Sequence, residues 1–232
     1  MKWSVPVVPV SAWTSEIRVT SGKVQLEGDL DLPERPRGLV LFAHGSGSSR
    51  HSPRNQRVAH ALRGAGLATL LFDLLTKDEE AGDELTGHLR FDVDFLASRL
   101  RVVTHWAAED KRTASLRIGY FGSSTGAAAA LAAAAADENA EVGAIVSRGG
   151  RPDLAGDALT RVRAPTLLIV GGGDDPVIAL NERAFGRLRC VKRLEIVPGA
   201  THLFEEPGAL DRVAELAAQW FTEHLPEQGW HP

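Results

Sequence analysis

The alternation of hydrophobic and polar positions changes its period about one sixth of the way along the chain. In residues 16–32, Ile17 and Val19 alternate with polar neighbours, and after the turn at 21–23 apolar residues return at every second position from Val24 to Leu32, with Gly28 in place of one of them. A period of two is typical of antiparallel strands with one buried face. The pattern therefore predicts a β-hairpin over residues 16–32.

From residue 38 onward, short and nearly continuous apolar runs alternate with segments of helical periodicity. Strands that are apolar on both faces belong to a parallel sheet covered by helices on both sides. The alternation therefore predicts an α/β fold with a mostly parallel sheet and right-handed crossovers. The predicted strands are 38–43, 67–72, 117–121, 142–146, 166–170 and 193–197, and the predicted helices are 54–63, 89–108, 125–136, 177–187 and 207–224.

Length and composition narrow the class of protein. A chain of 232 residues can bury a core without disulfides or metals, and its single cysteine, Cys190, allows no intramolecular disulfide. We expect one domain over residues 1–232, with residues 1–15 as an N-terminal extension. The net charge of −4 gives no sign of a nucleic-acid-binding surface or a membrane-binding patch. Prolines interrupt the N-terminal apolar run and no run of 18 apolar residues exists, so we expect neither a signal peptide nor a membrane span, and a cytoplasmic location.

The segment Gly122–Gly126 contains the pattern G-x-S-x-G between a predicted strand and a predicted helix. In that context the pattern indicates a nucleophilic serine on a sharp strand-to-helix turn, whose flanking glycines leave room for the strained backbone. The alternative is an ordinary glycine-rich turn that contains two serines. Ser124 is the predicted nucleophile, because Ser123 lacks glycines at both required positions.

A serine hydroxyl needs a base, and the base needs an acid that fixes its tautomer. His202 follows the last predicted strand, so it should lie at the same sheet edge as Ser124, where ligands bind in α/β folds. The strand 166–170 is followed by Gly171–Gly173 and two aspartates. Either Asp174 or Asp175 suits the role of the acid, and the spacing from Gly171 favours Asp174. The chain order Ser124, Asp174, His202 is the order of the α/β-hydrolase triad.

An acyl-transfer site also needs donors for the oxyanion. We expect one N–H group from Thr125, which follows the nucleophile, and a second from the small-residue loop after strand 38–43. Ser46 is the first candidate for this second donor and Gly47 the next. We interpret His44 in the same loop as a structural residue.

These segments resemble the α/β-hydrolase superfamily and, within it, the small dienelactone-hydrolase-like serine hydrolases. The matching segments are 44–48, 122–126, 171–177 and 198–204, and the resemblance extends over roughly residues 16–224. It implies hydrolysis of an ester-type bond through an acyl-enzyme. One departure is clear: dienelactone hydrolases proper use a cysteine nucleophile, whereas this chain has Ser124, which argues against dienelactone itself as the substrate.

The resemblance also bears on the substrate side of the site. Many α/β hydrolases carry a helical cap after the sixth strand, but Ser147–Pro165 has room only for one short helix near 153–160, so we expect no large cap domain. Arg148 and Arg151 lie near the same edge and are candidates for binding an anionic substrate group, the alternative being structural ion pairs. No metal-ligand spacing or nucleotide-binding glycine pattern occurs, so we infer no metal and no cofactor.

The sequence thus predicts a serine hydrolase acting on a small-molecule carboxylic ester or lactone. An acyltransferase or thioesterase with the same triad is an alternative, and so is a non-catalytic ligand-binding protein, because a fold does not fix a function. The oligomeric state stays open.

Overall fold

A computed structural model describes residues 13–137 and 142–225, which form an eight-stranded sheet in the order β1-β2-β4-β3-β5-β6-β7-β8. The first two strands pair with each other antiparallel, β2 is antiparallel to β4, and all other neighbours are parallel. The predicted hairpin and the mostly parallel sheet are both confirmed. The strands are β1 (Trp13–Ser21), β2 (Val24–Leu32), β3 (Leu39–Ala43), β4 (Ala68–Phe72), β5 (Ile118–Ser123), β6 (Val142–Arg148), β7 (Thr166–Gly171) and β8 (Lys192–Val197).

Helices cover both faces of the sheet, as the continuous apolar strands require. Strand β3 illustrates this, because Leu39 and Leu41 belong to one hydrophobic core while Val40 and Phe42 belong to the other. The described helices are α1 (Pro53–Gly64), α2 (Lys77–Thr86), α3 (His88–Phe91), α4 (Val93–Glu109), α5 (Thr125–Ala135), α6 (Asp175–Arg187) and α7 (Ala209–His224). The first core packs against α4 and α5, and the second against α1 and α7.

The structure corrects several predicted boundaries. The predicted helix 89–108 is two helices, because the Asp92 side chain accepts a hydrogen bond from the Phe95 N–H and caps a new helix there. Helix α2 was not predicted. The short helix near 153–160 is a 3₁₀ segment over Pro152–Arg161, and no cap domain occurs among the described residues. Strand β1 begins at Trp13, three residues before the predicted start of the hairpin, and residues 1–12 of the predicted extension lie outside the described residues.

The parallel strands place their carboxyl ends along one edge of the sheet. All the candidate site residues lie at the carboxyl ends of β3, β5, β6, β7 and β8 or in the segments that follow them, so they come to that edge. Across the described part of the chain, no helix is long and apolar enough to cross a membrane.

Candidate active site

Ser124 occupies a strained turn between β5 and α5. Its φ of 50° and ψ of −122° lie in a region that residues with a side chain seldom adopt. The residue is the N-cap of α5, yet its side chain makes no capping hydrogen bond to the described residues of the helix, unlike an ordinary N-cap serine. The hydroxyl is therefore available for chemistry, at the positive end of the helix dipole. Ser123, the alternative, is the buried last residue of β5.

The glycines around Ser124 are needed for the close approach of three backbone segments. A Cβ atom on Gly122 would come 2.5 Å from the Ala127 Cα, and one on Gly126 would collide with the Ala43 carbonyl oxygen. A Cβ atom on Gly45 would come 2.9 Å from the Ser124 Cβ. The glycine requirement read from the sequence thus has a steric cause, and it brings the loop after β3 against the candidate nucleophile.

His202 and Asp174 are joined by a hydrogen bond of 2.8 Å between Nδ1 and Oδ2. The loops after β7 and β8 are in direct contact, because the Gly173 N–H donates to the Ala200 carbonyl and a Cβ atom on Gly171 would collide with that carbonyl. The His202 side chain is 41% exposed and that of Asp174 16%, so the imidazole faces solvent while the carboxylate lies behind it. Asp175 instead begins helix α6, and the structure thus pairs Asp174 with the histidine.

The loop after β6 contacts both the Ser124 turn and the loop that carries His202. The Arg151 N–H donates a hydrogen bond of 3.0 Å to the Ser124 carbonyl oxygen, which helps to hold the turn in its conformation. Gly149 has a φ of 51°, and a Cβ atom there would come 3.0 Å from the His202 carbonyl oxygen and 3.7 Å from its Nδ1. One short loop therefore touches the serine turn and the histidine loop. Sequence reasoning missed this role of Gly149, which depends on a positive φ that no motif reveals.

The two residues proposed as oxyanion donors are in contact. The Ser46 N–H donates to the Thr125 hydroxyl at 3.1 Å. Behind them, the buried His44 accepts a hydrogen bond from the Leu74 N–H at Nε2, 3.0 Å away, and its Nδ1 lies 3.0 Å from the Gly45 carbonyl. Burial lowers the pKa of His44, so the ring is neutral and donates from Nδ1. His44 therefore ties the loop after β3 to the end of β4, in agreement with its structural interpretation.

The two candidate arginines have different environments. The Arg151 side chain makes a bidentate ion pair with Asp153, with both N–O distances 2.9 Å, which is the structural alternative that the sequence left open. Arg148 is the last residue of β6, is only 7% exposed, and has no ion-pair partner among the described residues. The structure thus separates two residues that the sequence could not distinguish.

A cleft adjoins the loop after β3, and its volume of about 680 Å³ includes space that is open to solvent. Gly47, the second candidate donor, lines it together with Ser46 and Thr125. The far wall consists of helices α2–α4 and the end of β4, so the cleft offers space for part of a small substrate beside the candidate oxyanion donors. Its other lining residues are His44, Gly45, Ser48, Asp73, Leu74, Leu75, Glu80, Asp83, Glu84, Arg90 and Leu96.

Two other features of the chain concern its cysteine and its potential metal ligands. Cys190 is half-buried and packs against the first core, with its Sγ 3.6 Å from the Thr166 hydroxyl. Within residues 13–137 and 142–225, no group of three or more His, Cys, Asp or Glu side chains is arranged to hold a metal ion.

Several known proteins resemble this chain in sequence or in structure. A crystal structure described as dienelactone hydrolase from Anabaena variabilis has 57% sequence identity and a TM-score of 0.89, covering 92% of this chain and 98% of the other. Est1E from Butyrivibrio proteoclasticus, at 16% identity and a TM-score of 0.75, covers 90% of this chain and 98% of its own, and it shows the fold alone.

Among curated proteins, one from Mycobacterium tuberculosis described as "Putative phosphoribosyl transferase" is 60% identical over 210 residues. The match covers 90% of this chain but 46% of that protein, so the chain spans about half the length of this relative. The family model described as "Dienelactone hydrolase family" matches residues 28–225, which include every candidate site residue. The chain belongs to the dienelactone hydrolase family.

Proposed function

We propose that this chain hydrolyses small carboxylic esters or lactones, with Ser124 as nucleophile, His202 as general base and Asp174 as the residue that orients the histidine. The observation that carries the proposal is the 2.8 Å hydrogen bond from His202 Nδ1 to Asp174 Oδ2 at the sheet edge where the strained Ser124 has an uncapped hydroxyl. A carboxylate at Nδ1 fixes the tautomer in which Nε2 is free to accept a proton.

In the first half of the reaction, Ser124 Oγ bonds to the ester carbonyl carbon while His202 Nε2 takes the hydroxyl proton. The tetrahedral intermediate then expels the alcohol, which receives that proton from the imidazolium. In the second half, water attacks the acyl-enzyme, His202 takes a proton from it, and Ser124 leaves with the proton as the carboxylic acid forms. Asp174 stabilises the imidazolium at both stages.

The negative oxygen of each tetrahedral intermediate needs donors at the start of α5. The Thr125 N–H belongs to the first turn of this helix, where no acidic residue competes for it. The Ser46 N–H now donates to the neutral Thr125 hydroxyl. An oxyanion is the stronger acceptor, because hydrogen bonds to a charged partner are about twice as strong as neutral ones, so we expect it to displace the hydroxyl.

The substrate class rests on the family and on the site. The similar protein from Anabaena variabilis is described as a dienelactone hydrolase, and family membership supports an ester-type bond. The name of the Mycobacterium tuberculosis relative does not decide the function of this segment, because more than half of that protein lies outside the matched region. A small acyl or leaving group suits the cleft beside Ser46 and Gly47.

The test is labelling of the purified protein with a fluorophosphonate probe, mapping of the adduct by mass spectrometry, and assay with p-nitrophenyl butyrate. We expect the adduct on Ser124 and its loss in Ser124→Ala and His202→Ala. Asp174→Asn should lower kcat by about 10⁴-fold, as loss of the orienting aspartate does in serine proteases. Ser123→Ala and Asp175→Asn are matched neighbours that should keep both labelling and turnover.

Two results would contradict the proposal. An adduct on a residue other than Ser124 would mean that the nucleophile is wrong. Saturable ligand binding without labelling or turnover would instead support a non-catalytic binding protein on this fold.

A further inference from the structure

Strand β8 lies at one edge of the sheet, and one side of its backbone is open. Within residues 13–137 and 142–225 it pairs with β7 alone. The Thr166 N–H of β7 donates to the Val191 carbonyl at 2.8 Å. Because backbone groups alternate in direction along a strand, the odd-numbered residues of β8 face β7. The N–H and C=O groups of the even-numbered residues therefore point away from the sheet, and these residues are Lys192, Leu194 and Ile196.

The features that usually protect an edge strand are missing from β8 or engaged elsewhere. Exposed edges are typically guarded by lysines, prolines or bulges. The strand contains no proline, and its register with β7 runs without a shift. Its one lysine, Lys192, is held against α6, where Nζ donates to the Phe185 and Leu188 carbonyls at 2.7 Å. Arg193 and Glu195 form an ion pair with each other, so their charges cancel.

Apolar side chains are exposed at both ends of this edge. Val191, which directly precedes the strand, is 63% exposed, and Ile196 is 39% exposed. A regular edge strand with unpaired backbone groups and apolar side chains is a template for pairing with another chain. The edge therefore indicates a protein contact rather than a surface made to stay in water.

The sequence of β8 is complementary to itself in one antiparallel register. When Leu194 lies opposite Leu194 of a second copy, Lys192 lies opposite Ile196, and the outward backbone groups of all three residues are paired. Arg193 then lies directly opposite Glu195 of the second copy, and the same pair recurs across the axis. These positions are the pairs without backbone hydrogen bonds, with Cα atoms about 4.5 Å apart, so opposite charges on them attract.

The neighbouring registers are unfavourable. A shift by two residues is the smallest that keeps the backbone hydrogen bonds, and it sets Arg193 opposite itself in one direction and Glu195 opposite itself in the other. Like charges directly opposite each other destabilise paired strands, and each shift also leaves an outward backbone group unpaired. The charges of β8 therefore select one register with a second copy.

We infer that this chain forms a two-fold symmetric homodimer in which β8 pairs antiparallel with β8 of a second copy, with Leu194 at the axis and Arg193 bound to Glu195 across it. Such a contact uses the same surface on both subunits. Because the paired strands run in opposite directions, the carboxyl edges of the two sheets face opposite ways, and both candidate sites stay open. The inference concerns the assembly and does not depend on the proposed ester hydrolysis.

Sedimentation equilibrium over a series of protein concentrations measures the dimer. We expect the wild type to reach twice the mass of one chain. Arg193→Glu and Glu195→Arg should each raise the Kd by about tenfold or more, because each change turns two attractive pairs of the symmetric interface into repulsive ones. The matched control is Arg18→Glu, which reverses an exposed charge on the other edge strand, β1, and should leave the Kd unchanged.

Mixing the two single variants separates contacts between chains from contacts within one chain. In a mixed pair, the two acidic positions of the Arg193→Glu chain face the two basic positions of the Glu195→Arg chain. We expect a heterodimer with a Kd near that of the wild type, although neither chain regains its own ion pair.

A backbone variant tests the hydrogen bonds of the same interface. Ile196→Pro removes an N–H that makes no bond to β7, and edge strands tolerate proline at such positions. The variant should lose the dimer, while its Tm should stay close to that of wild type diluted below its own Kd.

Three results would overturn the inference. The first is a wild type that stays monomeric at every concentration. The second is a dimer that survives both charge reversals and Ile196→Pro, or that Arg18→Glu weakens as much as Arg193→Glu does, since the interface then lies on another surface. The third is a mixture of the two single variants that stays monomeric, because the charges then act within one chain and not across the axis.

Discussion

The Cα of Gly45 lies so close to the candidate nucleophile that a methyl group there would come 2.9 Å from the Ser124 Cβ and 3.1 Å from the Ser123 carbonyl oxygen. Neither neighbour can move freely, since the serine turn is strained and the carbonyl belongs to the backbone. We expect Gly45→Ala to displace Ser124 and lower kcat for an activated ester by about 100-fold, because small misplacements of reacting groups have effects of that size. Steady-state assay of the variant measures this.

The control for Gly45→Ala is Gly82→Ala on helix α2, where a Cβ atom would meet nothing within 4 Å. Alanine inside a helix stabilises it by about 0.5–1 kcal/mol relative to glycine, and turnover should not fall. Full activity of Gly45→Ala would show that the contact between the two loops tolerates an extra methyl group, against the packing argument.

A second prediction for a single residue concerns His44, which makes the free energy of unfolding depend on pH. The pKa of this buried histidine is lowered from its ordinary value of 6.5, first by desolvation, so the unfolded chain takes up the proton before the folded protein does. The contribution of His44 is therefore fully present above pH 6.5 and is lost progressively as the pH falls from 6.5 toward the folded pKa. His44→Gln keeps an acceptor for the Leu74 N–H but cannot be protonated, so it should lose less stability between pH 7.5 and pH 5.5.

Urea unfolding at the two pH values measures this difference. The exposed His60 supplies the control, because His60→Gln should lose as much stability on acidification as the wild type. Identical pH dependence of His44→Gln and the wild type would mean that protonation of His44 is not coupled to unfolding.

Among the elements, helix α2 shows where hydrophobic periodicity stops being informative. Its sequence, Lys77–Thr86, is mostly charged and has no apolar stripe, and Asp83 is its one buried residue. The helix forms because Thr76 and Glu79 make a reciprocal capping box, and because Glu79 also binds Arg99 of α4 at 2.6 Å. Such polar contacts depend on partners that are distant in sequence, so the periodicity that correctly predicted α1 and α7 could not reveal α2.

In the candidate site, too, the sequence indicates which residues follow the strands but not which partners their side chains contact. Ser124, Asp174 and His202 could be proposed from the sequence because each lies in the turn or loop after a strand, and the carboxyl ends of parallel strands meet at one edge. Arg148, the last residue of β6, and Arg151, in the loop after it, have similar neighbours in the sequence. Only the structure shows that one side chain turns under Phe204 while the other turns to Asp153.

The side chain of Asp83 in α2 binds residues of α3, so the order of both helices should depend on it. The Asp83 carboxylate is 1% exposed and accepts hydrogen bonds from the Leu89 N–H at 2.6 Å and from Arg90 Nε at 2.6 Å. Asp83→Ala leaves these donors unpaired, and we expect amide exchange in residues 77–91 to quicken by about tenfold or more. Hydrogen exchange with mass spectrometry measures this, and unchanged protection there would show that other contacts hold the two helices.

Asp83 and Arg90 also line the cleft beside the loop after β3. The Asp83→Ala variant therefore also tests whether this cleft binds part of the substrate. We expect KM for p-nitrophenyl butyrate to rise while fluorophosphonate labelling of Ser124 persists. Asp78→Ala, on the exposed first turn of α2, is the matched control.

For the molecule as a whole, Arg50 joins the N-terminal hairpin to the parallel part of the sheet. Its guanidinium binds Glu27 at 3.0 Å, lies 3.6 Å from Asp29 and also pairs with Asp73, which follows β4. The side chain is 12% exposed, and it contacts three carboxylates, two on β2 and one in the loop after β4. One cation therefore offsets the mutual repulsion of acidic groups where the antiparallel and parallel regions meet.

Arg50→Met should destabilise the protein at pH 7 by about 3 kcal/mol, the lower part of the range for breaking a buried ionic network, because Glu27 stays accessible to water. The hydrogen bond from Arg50 is the largest cause of the lowered pKa of Glu27, so the part of the stabilisation that comes from this pair is present above pH 4.5 and is lost as the pH falls through the lower folded pKa. The variant lacks the cation, so its carboxylates protonate at higher pH.

The difference in free energy of unfolding between variant and wild type, measured by urea unfolding, should therefore shrink between pH 7 and pH 4. The double variant Arg50→Met with Asp73→Asn should recover part of the loss at pH 7. A defect of equal size at both pH values would mean that Arg50 stabilises the junction by packing of its aliphatic stem rather than by its charge.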